Sequence, residues 1–328
     1  MRQLMDKTIT IPEISQILKI TSQMTGVSVR ELDPKLKEES RSKIRGATRH
    51  IGPEHARLVF ESRGFHFPKL NICFHCLKGG ASKTTLACNC AYRLSQFGAR
   101  VLLVDLDKQA NATHTFGVDR PKKVFFDVIT GDAQITDVIV NVSEYLDILP
   151  SSLENARLEL ELINIKKNPQ TFYNSVFSSV RNNYDIIILD LPPDLNHNTY
   201  LSTIFSNIIC IPTNPDEYSV EGMKMTLNSI EGIQSEFENL KQEVYVIWSK
   251  YDARERKAFE YLTQVKDVGK AKILPVVVRT DSTFKNAQAI NKTIFQMKKS
   301  SSAREDIDLL SQELIGIRQF FEKKIGST

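Results

Sequence analysis

Apolar positions in this chain fall into two patterns that alternate from residue 69 onward. Short, nearly unbroken apolar runs occupy residues 70–77, 100–106, 146–149, 185–189, 208–211, 244–248 and 276–278. Longer runs with apolar residues every three or four positions occupy 84–97, 151–163, 171–182, 219–237 and 303–325. The first pattern predicts strands buried on both faces, and the second predicts amphipathic helices. Their alternation predicts an α/β fold, a mostly parallel, doubly wound sheet covered by helices on both sides. Ligands of such sheets bind at the C-terminal ends of the strands. Residues 1–67 read differently, as three helices over 11–25, 33–46 and 53–64, with Pro53 suited to a first helical turn and Gly64 to a helix end. The predicted organisation is therefore a small N-terminal helical module, 1–67, and an α/β domain, 68–328.

Between the first strand-like run and the first helix of the α/β part lies Lys78-Gly79-Gly80-Ala81-Ser82-Lys83-Thr84-Thr85. A strand, a glycine-bearing loop and a helix N-terminus together aim backbone N–H groups and the positive end of a helix dipole at an anion. Lys83 is spaced to reach β- and γ-phosphates, and the Thr84 hydroxyl to ligate Mg²⁺. The strict pattern G-x-x-x-x-G-K-[ST] fails, because Leu77 and Ser82 stand where its glycines belong. The variant K-G-G-x-x-K-[ST] fits.

That loop resembles the deviant Walker A box of the ParA/MinD ATPases, K-G-G-V-G-K-[ST]-[ST]. Four further segments are similar to the family, in its order. They are V-L-L-V-D-L-D-K-Q-A-N-A-T over 101–113, D-I-I-I-L-D-L-P-P over 185–193, P-T-N-P-D-E-Y-S-V-E-G over 212–222, and the stretch 277–295 that ends in T-I-F. The resemblance spans residues 68–325 and is strongest to the larger, plasmid-type (SopA-like) partition proteins. Two positions depart from it: Ser82 replaces a glycine that often needs a left-handed backbone, and Lys108 replaces a proline between Asp107 and Gln109. Neither removes a catalytic group.

The resemblance implies a P-loop NTPase fold and a slow, partner-stimulated, Mg²⁺-dependent ATPase. ATP phosphates would be held by Gly79, Gly80, Ala81, Ser82, Lys83, Thr84 and Thr85. Mg²⁺ would be held by Thr84 and Asp190, with Asp105 supporting its shell, and Asp107 would orient the attacking water. Lys78 would cross a two-fold interface to the nucleotide of a second subunit, joining Lys83 and Asp107 as catalytic groups. Arg254, Arg279 and Lys285 match positions where the family carries DNA-contacting basic residues. The implied partners are a second copy in the ATP state, a ParB-like centromere-binding protein and nonspecific DNA, with residues 1–67 open equally to operator DNA binding and to a role as a helical dimerisation arm. Two other functions remain open at this point. One is a MinD-like membrane-cycling ATPase, and the other is a nucleotide-switched DNA-binding autorepressor.

Charge sharpens the nucleic-acid reading. The net charge is +4, and residues 1–68, with twelve Lys/Arg against eight Asp/Glu, carry all of it. Lys35, Lys37, Arg41, Lys43, Arg45 and Arg49 form a patch suited to phosphate backbones, although a solvated helix face reads the same way. No apolar stretch approaches a membrane-spanning length, and the first ten residues lack a secretory pattern. The expected location is cytoplasmic and nucleoid-associated. The apolar and basic tail over 315–325 is expected to be a packed terminal helix rather than a membrane anchor. The five cysteines include Cys73-x-x-Cys76 and Cys88-x-Cys90. On a strand and a helix respectively, these spacings point the thiols apart, which predicts buried free thiols rather than a zinc or iron–sulfur site.

Overall fold

The computed structural model describes residues 8–32, 50–163, 168–237, 239–265, 269–297 and 300–326. The predicted helix 33–46 and the basic patch from Lys35 to Arg49 lie outside the described residues.

The strands are β1 (Ile9–Thr10), β2 (His50–Ile51), β3 (Leu70–Phe74), β4 (Val101–Asp105), β5 (Val140–Ser143), β6 (Leu146–Leu149), β7 (Ile186–Asp190), β8 (Ile208–Thr213), β9 (Glu243–Trp248) and β10 (Lys272–Ile273). The helices of eight or more residues are α1 (Ile11–Leu18), α2 (Ser22–Leu32), α3 (Pro53–Ser62), α4 (Lys83–Phe97), α5 (Pro169–Phe177), α6 (His197–Phe205), α7 (Glu217–Glu236), α8 (Arg256–Gln264), α9 (Ser302–Leu314) and α10 (Ile317–Gly326). Eight strands form one sheet in the order β10-β9-β8-β3-β7-β4-β6-β5. Every neighbouring pair is parallel except β5–β6.

Side-chain alternation along the central strands divides the interior in two. Ile72, Phe74, Val101, Leu103, Ile186 and Ile188 face one layer, which holds α4, the N-terminal helices and the C-terminal helices. Cys73, Leu102, Val104, Ile187 and Leu189 face the other, with residues of α5, α6 and α7. Both faces are covered, so these strands read in sequence as unbroken apolar runs.

Three boundaries differ from the sequence expectation, each for a local reason. The helix expected over 11–25 stops at Leu18, where Lys19 turns left-handed (φ 55°), and resumes at Ser22. The helix expected over 303–325 breaks at Gly316 (φ 69°). Residues 276–278 do not form a ladder strand. Leu274 N donates to Val246 O and Val278 N to Trp248 O, while Pro275 between them has no N–H to offer. The short antiparallel β5, rich in polar residues, carried no strand signal.

The described part of the N-terminal module shares the core of the α/β part. Ile9, Ile11, Ile14, Ile17, Ile51, Val59 and Phe60 all join the α4 layer. Gly98, which ends α4 with φ 99°, is where α3 docks, and a Cβ there would sit 2.6 Å from Arg57 Cβ and from Pro53 O. Arg57 donates to Gly98 O at 2.9 Å and pairs with Asp185 at 2.6 Å. Arg93 of α4, only 1% exposed, pairs with Glu13 of α1 at 2.9 Å and with Asp308 of α9 at 2.5 Å. The tail is packed as well, with Ile315, Ile317 and Phe321 buried. Among the described residues, no helix is long and apolar enough to cross a membrane.

Candidate functional site

The loop 78–85 joins β3 to α4 at the C-terminal edge of the sheet. Gly79 and Gly80 are exposed, and a Cβ at either would meet nothing within 4 Å, so the mouth of the loop is open. Gly80 (φ 75°) and Ser82 (φ 72°, ψ 13°) are both left-handed. Ser82 therefore adopts the backbone of the glycine it replaces, and its side chain makes no cap bond. Inside the loop, the buried Lys83 ammonium donates to Cys76 O at 2.9 Å and to Lys78 O at 3.2 Å. Burial lowers the Lys83 pKa, opposed by neighbouring acidic groups that include Asp190 and Asp107.

Two carboxylates end the adjoining strands, and a third, Asp107, follows one of them. Asp105 and Asp190 are register partners on β4 and β7, and Asp190 is also paired with Phe74 of β3. Both are fully buried. The Asp105 oxygens are occupied: Oδ2 accepts from Thr113 N at 2.8 Å and Thr113 Oγ1 at 2.7 Å, and Oδ1 accepts from Asp107 N at 3.2 Å. Asp107 in turn caps its own turn through Gln109 N at 2.9 Å. Neither oxygen of Asp190 has a hydrogen-bond partner. Burial and the neighbouring Asp105 carboxylate push its pKa well up, and the Thr84 hydroxyl, short of hydrogen-bond geometry, opposes this most. A fully buried carboxylate with two free oxygens at a phosphate loop is suited to a proton or a cation.

A cleft of ≈ 530 Å³ opens over this edge, lined by the whole loop from Gly79 to Thr85 and by Asp107. A glycine loop at a helix N-terminus, a lysine folded into it and carboxylates at the next two strand ends have the chemistry suited to a nucleotide's phosphates.

A family model described as an AAA domain matches residues 70–244. The sporulation initiation inhibitor protein Soj of Bacillus subtilis is 30% identical over 220 residues, covering 66% of this chain and 87% of Soj. A ParA family protein of Chlamydia muridarum is 31% identical over 252 residues, covering 74% of this chain and 96% of that protein. The chain belongs to the ParA/MinD family of P-loop ATPases. A solved structure of cobyrinic acid a,c-diamide synthase from Mycobacterium smegmatis, with bound ATP analogue and magnesium, superposes with a TM-score of 0.66 at 21% identity. It covers 75% of this chain and 94% of the synthase, and it shows the shared fold.

The remaining ParA-type positions divide between the cleft and the outer surface. Arg279 and Lys285 line the cleft. Arg279 is tied to Asp306 at 2.7 Å and Glu305 at 3.1 Å. Arg254 lies on the surface beyond β9 and pairs with Asp252 at 2.5 Å. Lys78 flanks the loop, with its ammonium 4.9 Å from the centre of the Tyr218 ring.

Sequence reasoning missed Lys250, whose ammonium donates to Gly80 O at 2.7 Å from a left-handed residue (φ 53°). It follows β9 as Asp105 and Asp190 end their strands, and that was the available signal. Asn89 of α4 was missed too. Its Oδ1 accepts from Ile294 N at 2.9 Å, which fastens the T-I-F segment to the helix that begins at the loop. All five cysteines are free and buried, as expected, and no group among the described residues could hold a metal with three His, Cys, Asp or Glu ligands.

Proposed function

We propose that this chain is a partition ATPase of the larger plasmid type. In this reading ATP drives dimerisation, the dimer binds DNA without sequence preference, and a ParB-like partner stimulates slow hydrolysis and release. Repeated release would move or space DNA cargo.

The observation that carries the reading is a division of labour between two lysines. Lys83 is folded into its own loop, held by two carbonyls beside the buried carboxylates. Lys78 stands at the loop's mouth with no ion pair among the described residues, its ammonium against an exposed ring. A second lysine outside the cradle fits a role toward another subunit's phosphates, comparable to an arginine finger.

The N–H groups from Gly79 to Thr85 would bind the phosphates, with Lys83 beneath them. Thr84 and Asp190 would hold Mg²⁺, for which the unpartnered Asp190 oxygens are the fitting donors, and Asp105 would steady that end of β4. When bound, the ion neutralises phosphate charge. Asp107, fixed by its bonds within the 105–109 turn, would orient the attacking water. Arg254, Arg279 and Lys285 would contribute phosphate-directed DNA contacts, which are salt-sensitive.

Co-sedimentation with random-sequence DNA in ATP, ADP or no nucleotide, across a salt series, tests this. ATP-specific binding that weakens steeply with salt is expected. Equal binding without nucleotide would contradict the switch and favour the regulator reading.

A further inference from the structure

The segment Glu217–Gly222 resembles a family motif, yet none of its side chains lies on the walls of the nucleotide cleft. The structure shows what it touches. Gly222 of α7 lies against Lys78, and a Cβ there would come within 3.1 Å of Lys78 Cβ and 3.5 Å of its backbone nitrogen. One turn on, the Thr226 hydroxyl accepts from Leu77 N at 3.1 Å and donates to Gly222 O at 2.7 Å. The carbonyl of Lys78 is held from the other side by Lys83. The backbone and Cβ of Lys78 are thus held between α7 and the loop.

The ammonium of Lys78 rests on Tyr218, one turn before Gly222 on α7. Tyr218 is 71% exposed, and the ammonium lies 4.9 Å from the centre of its ring. Glu217 and Glu221 are on the same helix, yet Lys78 forms no ion pair with either. An aromatic face holds a cation in water more weakly than a bidentate or buried carboxylate does, so the hold is easily reversed.

We propose that Tyr218 is a positioning residue for Lys78, its ring holding the ammonium in the unpaired subunit and competing for it with the second subunit's bound nucleotide. This rests on the reading of Lys78 given above. The ring sets a threshold: dimerisation must strip two lysines from two rings. The strength of an exposed cation–π contact corresponds to about two- to fivefold per lysine.

Two measurements on the full chain test it. The first is the affinity of ATP-dependent dimerisation for wild type, Y218L and Y218F. Y218L is expected to tighten the dimer roughly four- to twenty-fivefold, and Y218F, which keeps the ring, to stay within about twofold of wild type. General damage to α7 would weaken the dimer instead, so the sign separates the two causes. The second reads the resting contact without any dimer, from the NMR signal of ¹³C-methylated Lys78, assigned by its loss in K78A. The ring should displace that signal in the nucleotide-free wild type, and the displacement should vanish in Y218L and in the ATP dimer. A signal unaffected by Y218L overturns the proposal, as does a dimer that Y218L weakens or leaves unchanged. Failure of the wild type to dimerise with ATP would overturn the trans role of Lys78 and, with it, the competition, whereas a dimer insensitive to Y218L would overturn the competition alone.

Discussion

Ser82 shows how tightly the phosphate loop fixes single residues. A side chain in the left-handed region costs about 1–2 kcal/mol relative to glycine, and Ser82 is there at φ 72° without a cap bond in return. S82G would remove that strain but free the unfolded chain, which offsets about 0.4–1 kcal/mol. The net expectation is a gain of about 0.5–1 kcal/mol in urea unfolding, with ATP affinity retained. A large loss of ATP affinity in S82G would mean that the hydroxyl itself contacts phosphate. The loop's place between β3 and α4 was legible, because its glycines and lysines follow an unbroken apolar run and precede a helical one. Lys250 was not, because a lone lysine after a strand looks like any surface cation until the fold brings it to Gly80.

At the scale of elements, α4 is the axis of the molecule. Its first turn closes the phosphate loop, Asn89 anchors the T-I-F segment, Arg93 ties α1 to α9, and Gly98 admits α3. The strand and helix types of the α/β part were readable from periodicity, since both faces of the sheet are covered. Helix breaks at Lys19 and Gly316 were not, because a left-handed stop needs only one residue and leaves the apolar pattern intact. The docking of α3 makes a pH prediction. Burial works against ionisation of Asp185, but the Arg57 hydrogen bond, the Arg100 amide and the Arg57 charge hold its pKa below the usual carboxylate value. A depressed folded pKa stabilises fully above the unfolded value, about 4, and the contribution is lost as pH falls through the lower folded value. D185N should therefore cost about 2 kcal/mol at pH 7 and show a shallower loss of stability below about pH 4 than wild type. Parallel acid-unfolding curves for the two proteins would contradict this.

For the whole molecule, the sheet order decides where chemistry can occur. β3 lies between β7 and β8, so the chain leaves β3 toward one side of the sheet and later returns on the other. The phosphate loop opens at that change of direction, where crevices of parallel sheets form. Asp105 and Asp190 end the two strands that follow on one side, and Lys250 follows a strand on the other. The N-terminal module is fastened to this body through α4 and Asp185.

In the proposed function, ATP joins two copies through Lys78. Sedimentation velocity of the full chain with ATP, ADP or no nucleotide, for wild type and K78A, reads this directly. A dimer that forms only with ATP and is lost in K78A, while K78A still binds ATP, is expected. A K78A protein that dimerises as well as wild type would rule out the trans role of Lys78.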